Sequence, residues 1–559
     1  MKRNLNKTIK YIALVLLTLI VVNVISSKVY ERFDLTKDKR YTLSEATKNI
    51  VDEADSPLQI DIFLKGDDFP AEFRRLQSET KQILEEFHSE NNNIIFNFID
   101  PLQDEANQDQ VIQQLTQRGL TPMQLSVQEN GKSSKAIIFP WALASYNDQT
   151  VAISLIKNKI GASQQDLVTN SIQHLEYAFT DGFKKLTQPK SKKIAILKGN
   201  GQLADKYIAD FVKKIGSYYF IAPFTLDSVG SNPQKTLKEL EQYDLIINAK
   251  PLEPFTDSEK YVLDQYTMNG GKSMWLIDKV AMEKDSLYNS RGMNYAVGRE
   301  LNLTDFFFKY GVRINPNLVS TLYSAPITLA IGQGSDSQFQ NLRWPYSPLA
   351  GTENHHPIVN NINLVRFDFA NQIDTLKNDV KKTILLESAP LSKLEGTPSE
   401  ISLNIVTQEQ DLKLFNHGNI TLAVLLEGEF HSVFENRLKP FKINDFKTIS
   451  EPTKMVVISD GDLIKNDVIK NQPQELGFDR WTGQLYGNKE FLLNAVNYLL
   501  DDTGLINIRS KQISVAFLDQ QKIASQKTLW QLLNIALPLV LLALFGFVFN
   551  YLRKKKYGA

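Results

Sequence analysis

The sequence predicts an α/β fold: a thioredoxin-like first domain and a doubly wound parallel-sheet second domain with a large insertion, between two terminal transmembrane helices. Three observations predict it. Apolar strands alternate with amphipathic helices across 57–101. A longer series of the same kind runs over 193–277 and returns at 454–462. Uncharged apolar runs occupy both ends of the chain.

Residues 11–27 (YIALVLLTLIVVNVISS) carry no charge, and Thr8 and Ile9 extend the run toward the ~20 residues that cross a bilayer. The basic start MKRNLNK is common to anchors and cleaved signal peptides, but no small-x-small cleavage site precedes Lys28. An uncleaved transmembrane helix at 11–27 is therefore expected. Residues 28–40 follow as a juxtamembrane tether. Ser44 or Thr42 is the expected N-cap of the next helix, and Thr42-Leu43-Ser44-Glu45 reads as a capping box.

The first domain is expected over 41–187. Strand 57–65, amphipathic helix 71–90 and strand 94–101 form a βαβ unit, predicted to be right-handed and parallel. A helix at 104–118, a hairpin turning at Glu129-Asn130-Gly131-Lys132 and a long helix at 163–186 complete the thioredoxin-like pattern. The chain has no cysteine, so redox chemistry, Cys-based metal sites and a Cys nucleophile are excluded together.

The second domain is expected over 192–505. Strands 193–198, 218–226, 243–248 and 272–277 alternate with helices 203–215, 232–241 and 256–268, predicting an open parallel sheet covered on both faces. From about 280 to 450 the rhythm becomes irregular and reads as an insertion. KMVVISDGD (454–462) restores a buried strand, and helix 488–500 closes the domain. A juxtamembrane segment (506–527) leads to the uncharged run 528–552, where Pro538 is tolerable and Trp530 and Tyr551 stand as interfacial anchors.

Lys2, Arg3, Lys7 and Lys10 precede the first apolar run, and Arg553, Lys554, Lys555 and Lys556 follow the second. The positive-inside rule places residues 1–10 and the basic tail 553–559 in the cytoplasm, with everything between the spans on the far side. The 63 basic and 63 acidic side chains cancel, so nothing argues for a nucleic-acid partner.

Several stretches imitate chemistry. Gly270-Gly271-Lys272-Ser273 resembles the end of a phosphate-binding loop, but Tyr266 stands where the first glycine is needed, and the segment leads from helix to strand. A helix C-cap is the simpler reading. Gly199-Asn200-Gly201-Gln202-Leu203-Ala204 fits G-x-G-x-x-A between strand and helix, with Asp227 ending the next strand. It reads as a tight turn in preference to a dinucleotide site. Glu353-Asn354-His355-His356 offers ligand atoms, but neighbouring residues on an extended segment point to opposite sides, and a structural loop ending at Pro357 is expected. No G-x-S-x-G elbow or paired-carboxylate motif occurs. No catalytic residue, metal site or cofactor is expected.

DLTKDKRYTLSEAT (34–47), DQYTMNGGKSMWLID (264–278), RWPYSPL (343–349), NHHPIV (354–359) and AVLLEGEFHSVFENRL (423–438) together resemble the gliding-motility-associated ABC transporter auxiliary subunits (GldG) of Bacteroidetes. The resemblance covers nearly the whole chain. It implies a two-pass inner-membrane protein whose bulk is periplasmic, and a non-ATPase component that works with a separate membrane permease subunit and a cytoplasmic ATPase subunit. It also implies a second domain similar to the class I glutamine amidotransferase-like sheet of intraflagellar transport proteins. Enzymes of that sheet need a Cys nucleophile, which leaves binding or scaffolding.

Two readings follow. In the first, the far-side region couples the permease to envelope components, and the two spans dock beside the permease. Asn23, Ser26, Asn534 and Gly546 could line those contacts or simply face lipid. The usual two-fold symmetry of transporters is compatible with a homodimer. In the alternative, the carboxyl-end crevice of the second sheet binds a ligand, with Gly199, Asn200, Gly201, Asp278, Asp460 and Asp462 at strand ends as candidates. Two membrane anchors forbid the release expected of a cycling solute receptor, which favours coupling.

Overall fold

A computed structural model of the chain describes residues 2–28, 34, 42–66, 69–103, 107–129, 132–332, 337–511 and 520–558. Most of the expected tether 28–40, the hairpin turn residues Asn130 and Gly131, the start of the 104–118 helix, much of segment 506–527 and the last tail residue lie outside them. The chain divides into two compact units, Met1–Lys511 and Gln512–Ala559.

The first unit opens with helix α1 (Lys2–Lys28), which contains the apolar stretch Lys10–Val24. Helix α2 (Glu45–Val51) starts at Ser44, whose hydroxyl accepts the Thr47 N–H. The capping box read at 42–45 does not form. A box needs its acid three residues after the cap, and Thr47 occupies that place. Thr42 instead donates its hydroxyl to Asp34 at 3.1 Å.

Strands β1 (Leu58–Ile62) and β2 (Ile94–Phe98) pair in parallel through helix α3 (Ala71–Glu90), as the alternating pattern requires. Helix α4 (Gln108–Gln117) follows, and β3 (Met123–Glu129) and β4 (Lys132–Ile138) form a separate hairpin. Antiparallel β5 (Trp141–Tyr146) and β6 (Gln149–Ser154) complete a four-stranded sheet in the order β2-β1-β5-β6. Helix α5 (Gln164–Thr187) begins with a true capping box, Ser163 with Asp166. It packs on α3 through an edge-to-face cluster of Phe87, Phe179 and Phe183.

The second sheet has seven strands. β7 (Lys193–Lys198), β8 (Phe220–Thr225), β9 (Leu245–Ala249), β10 (Lys272–Leu276) and strand Thr453–Ile458 are parallel. Helices α6 (Asp205–Ile215), α7 (Pro233–Leu240) and α8 (Asp257–Met268) alternate with them. The aromatic face of a short helix, α9 (Thr304–Tyr310), packs on Trp275. Helix α10 (Asn488–Leu500) joins α6 over one face of the sheet, while α7 and α8 cover the other. Each buried Leu, Ile or Val in these two layers contributes roughly 1.5–3 kcal/mol.

The all-parallel expectation needs correction. Strands Thr421–Gly428 and Lys381–Glu387 extend the sheet in antiparallel fashion, and both come from the region read as an insertion. TLAVLLEG is buried from Leu422 to Leu426. A strand covered on both faces shows a continuous apolar run whichever way it points, so its sequence conceals direction.

The sheets are joined by a buried ion cluster. Lys157, just after β6, contacts Glu490 on α10, and Arg509 reaches the same carboxylate at 2.6 Å while lying 4.9 Å over the Tyr177 ring of α5. Burial opposes ionisation of Glu490, but the Lys157 ammonium and the Arg509 guanidinium outweigh it and hold the carboxyl at about 2.

The second unit is helix α11 (Gln520–Tyr557), non-helical at Gln526 and carrying Pro538. Its stretch Ser525–Tyr557, whose most apolar 18 residues have a mean hydropathy of 2.6, is the one helix among the described residues long and apolar enough to cross a membrane.

Candidate functional site

Strands Thr453–Ile458, β10, β9 and β7 are adjacent and parallel, so their carboxyl ends open to one side. The six sequence-predicted residues lie just beyond them, in two groups.

Gly199, Asn200 and Gly201 leave β7 in a tight turn, with φ of +111° at Gly199 and +73° at Gly201. The turn is filled by the chain itself. The Asn200 carbonyl accepts the N–H groups of Leu252 and Glu253 at 2.9 and 3.0 Å, and its own N–H donates to Gln202 at 2.8 Å. The Asn200 amide is thereby used up, as the tight-turn reading requires.

Asp278 and Asp462 converge on a residue the sequence reading overlooked. Lys250 ends β9 in a left-handed conformation, φ +56°, and is 1% exposed. Its ammonium lies 2.6 Å from Asp462, 2.7 Å from Glu283 and 3.3 Å from Asp278. Burial disfavours that charge, yet the three carboxylates more than compensate and raise the pKa, so Lys250 stays protonated. Gly461 makes the close packing possible, since a Cβ there would sit 2.5 Å from the Lys250 Cγ. Its N–H donates to Asp278.

Asp460 does not touch Lys250. It is fully buried and accepts the N–H of Asp368 at 2.6 Å and of Asp462 at 2.7 Å, which makes it a clip between two loops. Burial and the neighbouring Asp278 and Asp462 raise its pKa well above the usual carboxyl range.

Asp278, Glu283 and Asp462 present ligand oxygens within 4.8 Å of one another, a spacing that would suit a cation. The Lys250 ammonium already supplies one. Lys250 carried one legible signal: a charged residue directly after the largely apolar stretch of β9 and directly before Pro251. Glu283 and Lys465 carried none.

In front of the cluster opens a crevice of 730 Å³, and of the six candidates only Asp462 lines it. Several of its charges are paired internally: Asp368 with Arg366 and Lys284, each at 3.2 Å, and Lys465 with Asp462 at 3.6 Å. Across its mouth Phe339, near the end of the hairpin Ser324–Ile331/Gln338–Ala350, meets Trp481 at 5.1 Å between ring centroids. A second cleft of 430 Å³, between the end of α5 and β7, is rich in lysine and remote from the strand ends. Its Lys192 is paired with Asp502 and Asp244. His356 packs edge-on against Tyr498 at 4.6 Å, and burial lowers its pKa to about 4, consistent with a structural loop.

The cluster sets a pH dependence. Burial raises Asp278 to about 6 even beside Lys250. The folded state then holds this proton more tightly than the unfolded chain, so its contribution is full at low pH and is lost as pH rises from about 4 to 6. Asp368 and Glu490, both held near 2 by their cations, act in the opposite sense. Their contribution is present above about pH 4 and lost as pH falls toward 2. In denaturant titrations from pH 7 to 2, Asp278→Asn is expected to remove that group's share of the slope between about 4 and 6, where Asp460 and His356 also act, and to leave the acid limb intact. An unchanged slope would detach Asp278 from it.

The fold and its site define an α/β protein whose sheet ends in an ion cluster of one lysine and three carboxylates, with a C-terminal helix of membrane-spanning length. The chain belongs to the ABC-type uncharacterized transport system family, whose profile matches residues 191–495, more than half of its length. A domain of unknown function matches residues 37–145. An uncharacterized protein of Borreliella burgdorferi is 20% identical over 535 residues, covering 94% of each chain. Among solved structures, the mmIFT52 N-terminal domain aligns with a TM-score of 0.31 and 12% identity over 56% of this chain and 98% of that one.

Proposed function

We propose that this protein is a non-catalytic auxiliary subunit of an ABC transporter, coupling a separate permease and a cytoplasmic ATPase to envelope components. In the finer form of this reading it is a two-pass inner-membrane protein associated with gliding motility, its α/β region periplasmic. The order and strand directions of the first sheet support a thioredoxin-like scaffold there. One observation carries the proposal. The strand ends where doubly wound folds keep their reactive groups are filled by Lys250 and its three carboxylates, a cation already neutralised. Membership of a transport family then favours an accessory role.

The full chain, affinity-purified from native membranes in mild detergent, is expected to bring down one permease and one ATPase polypeptide. Recovery of the chain alone, under conditions that keep other ABC complexes whole, would overturn the coupling role. The crevice supports a second reading, a ligand-binding subunit. Saturable quenching of Trp481 by a polar small molecule, in a chain that co-purifies with nothing, would favour it.

A further inference from the structure

We infer that Glu176 is a single anchor for both membrane-flanking ends of the α/β region, so that they are held as a pair and load helix α5 together. The inference rests on the coupling role proposed above and names the element through which coupling acts. Glu176 sits midway along α5 and is 3% exposed. One carboxylate oxygen accepts the Ser44 N–H at 2.7 Å and the Thr47 hydroxyl at 2.9 Å, fixing the start of α2. The other accepts the Lys511 ammonium at 2.8 Å. Lys511 also donates to the Thr42 carbonyl at 2.8 Å, tying the two ends directly to each other.

These contacts lie near the two ends of the α/β region among the described residues. Toward the N-terminus, α1 ends at Lys28, and beyond Lys511 the next helix, α11, begins at Gln520. A buried carboxylate bonded to charged and backbone donors is stronger and more directional than an exposed ion pair. Displacement of either flanking segment is therefore resisted by one group on α5. α5 packs on α3 and, through Tyr177 and Arg509, meets the cluster that holds α10 of the second sheet. A shift imposed at either end reaches both sheets by this route.

The absence of cysteine allows a clean test. Spin labels at Thr42→Cys and Asn507→Cys in the detergent-solubilised full chain report the separation of the two ends by pulsed electron resonance. A single narrow distance is expected in the labelled parent, and its loss in both Glu176→Gln and Lys511→Met. Lys511, on the edge of the fold, decides the matter if Glu176→Gln does not fold. A broad distribution in the parent, or a narrow one retained in Lys511→Met, overturns the inference. The measurement needs no partner subunit, so failure to co-purify a permease and failure of the anchor are read separately.

Discussion

Lys250→Met is expected to lower stability by about 3–5 kcal/mol, the cost of removing one member of a buried ion group. The lysine side chain is 2% exposed, and its loss leaves Asp278, Glu283 and Asp462 facing one another without a cation. Two of these are themselves largely buried, so water cannot replace the ammonium. Denaturant unfolding of the full chain in detergent gives the measurement. The same change combined with Asp278→Asn and Asp462→Asn is expected to recover most of the loss, because neutral amides need no counter-charge. Lys206→Met, at the crevice mouth, serves as a surface control and should stay within about 0.5 kcal/mol of the parent. A Lys250→Met protein as stable as the parent would show that the cluster does not hold the strand ends together.

Glu490→Gln is expected to have an effect of similar size, about 3–5 kcal/mol, with a different pattern. It removes the only carboxylate paired with both Lys157 and Arg509 among the described residues, leaving two buried cations side by side. Lys157, which burial already lowers to about 8, is expected to lose its proton at physiological pH. Because the cluster joins α5 to α10, the loss should fall between the sheets. Hydrogen exchange is expected to show faster opening of α5 and segment 505–511, with β9 and β10 protected as before. Uniform acceleration across both sheets, or none, would remove the cluster's role as the join.

Much of the second sheet was legible because its elements repeat a buried strand and a one-sided helix with clear ends. The 256–268 helix is observed at Asp257–Met268 with Thr256 as its cap, and strand 193–198 is observed with those limits. Of the two hydroxyls expected to cap the first helix of the domain, Ser44 does so and Thr42 does not, since only Ser44 directly precedes the helical pattern. The sheet's antiparallel extension was not legible, because pairing direction depends on connections that irregular sequence between 280 and 420 conceals. The candidate site was half legible. The aspartates lie together at the carboxyl edge of the sheet, whereas the glycine turn belongs to a neighbouring loop. The organising residue, Lys250, carried no signal beyond its place between an apolar strand and Pro251. A side chain's burial is decided by what arrives from elsewhere in the chain, here Glu283 and Asp462.

The tie between Lys511 and Thr42 spans 469 residues, and that separation bears on the order of assembly during synthesis. A ribosome delivers the first sheet long before Arg509 and Lys511 exist. Until they emerge, Glu176 is a carboxylate awaiting its cation, and closing so long a loop is an entropically late step. The first sheet can form early, yet its native fit with the second waits for the last stretch of chain before α11. Native closure of the α/β fold is thereby reserved for polypeptides made past Lys511.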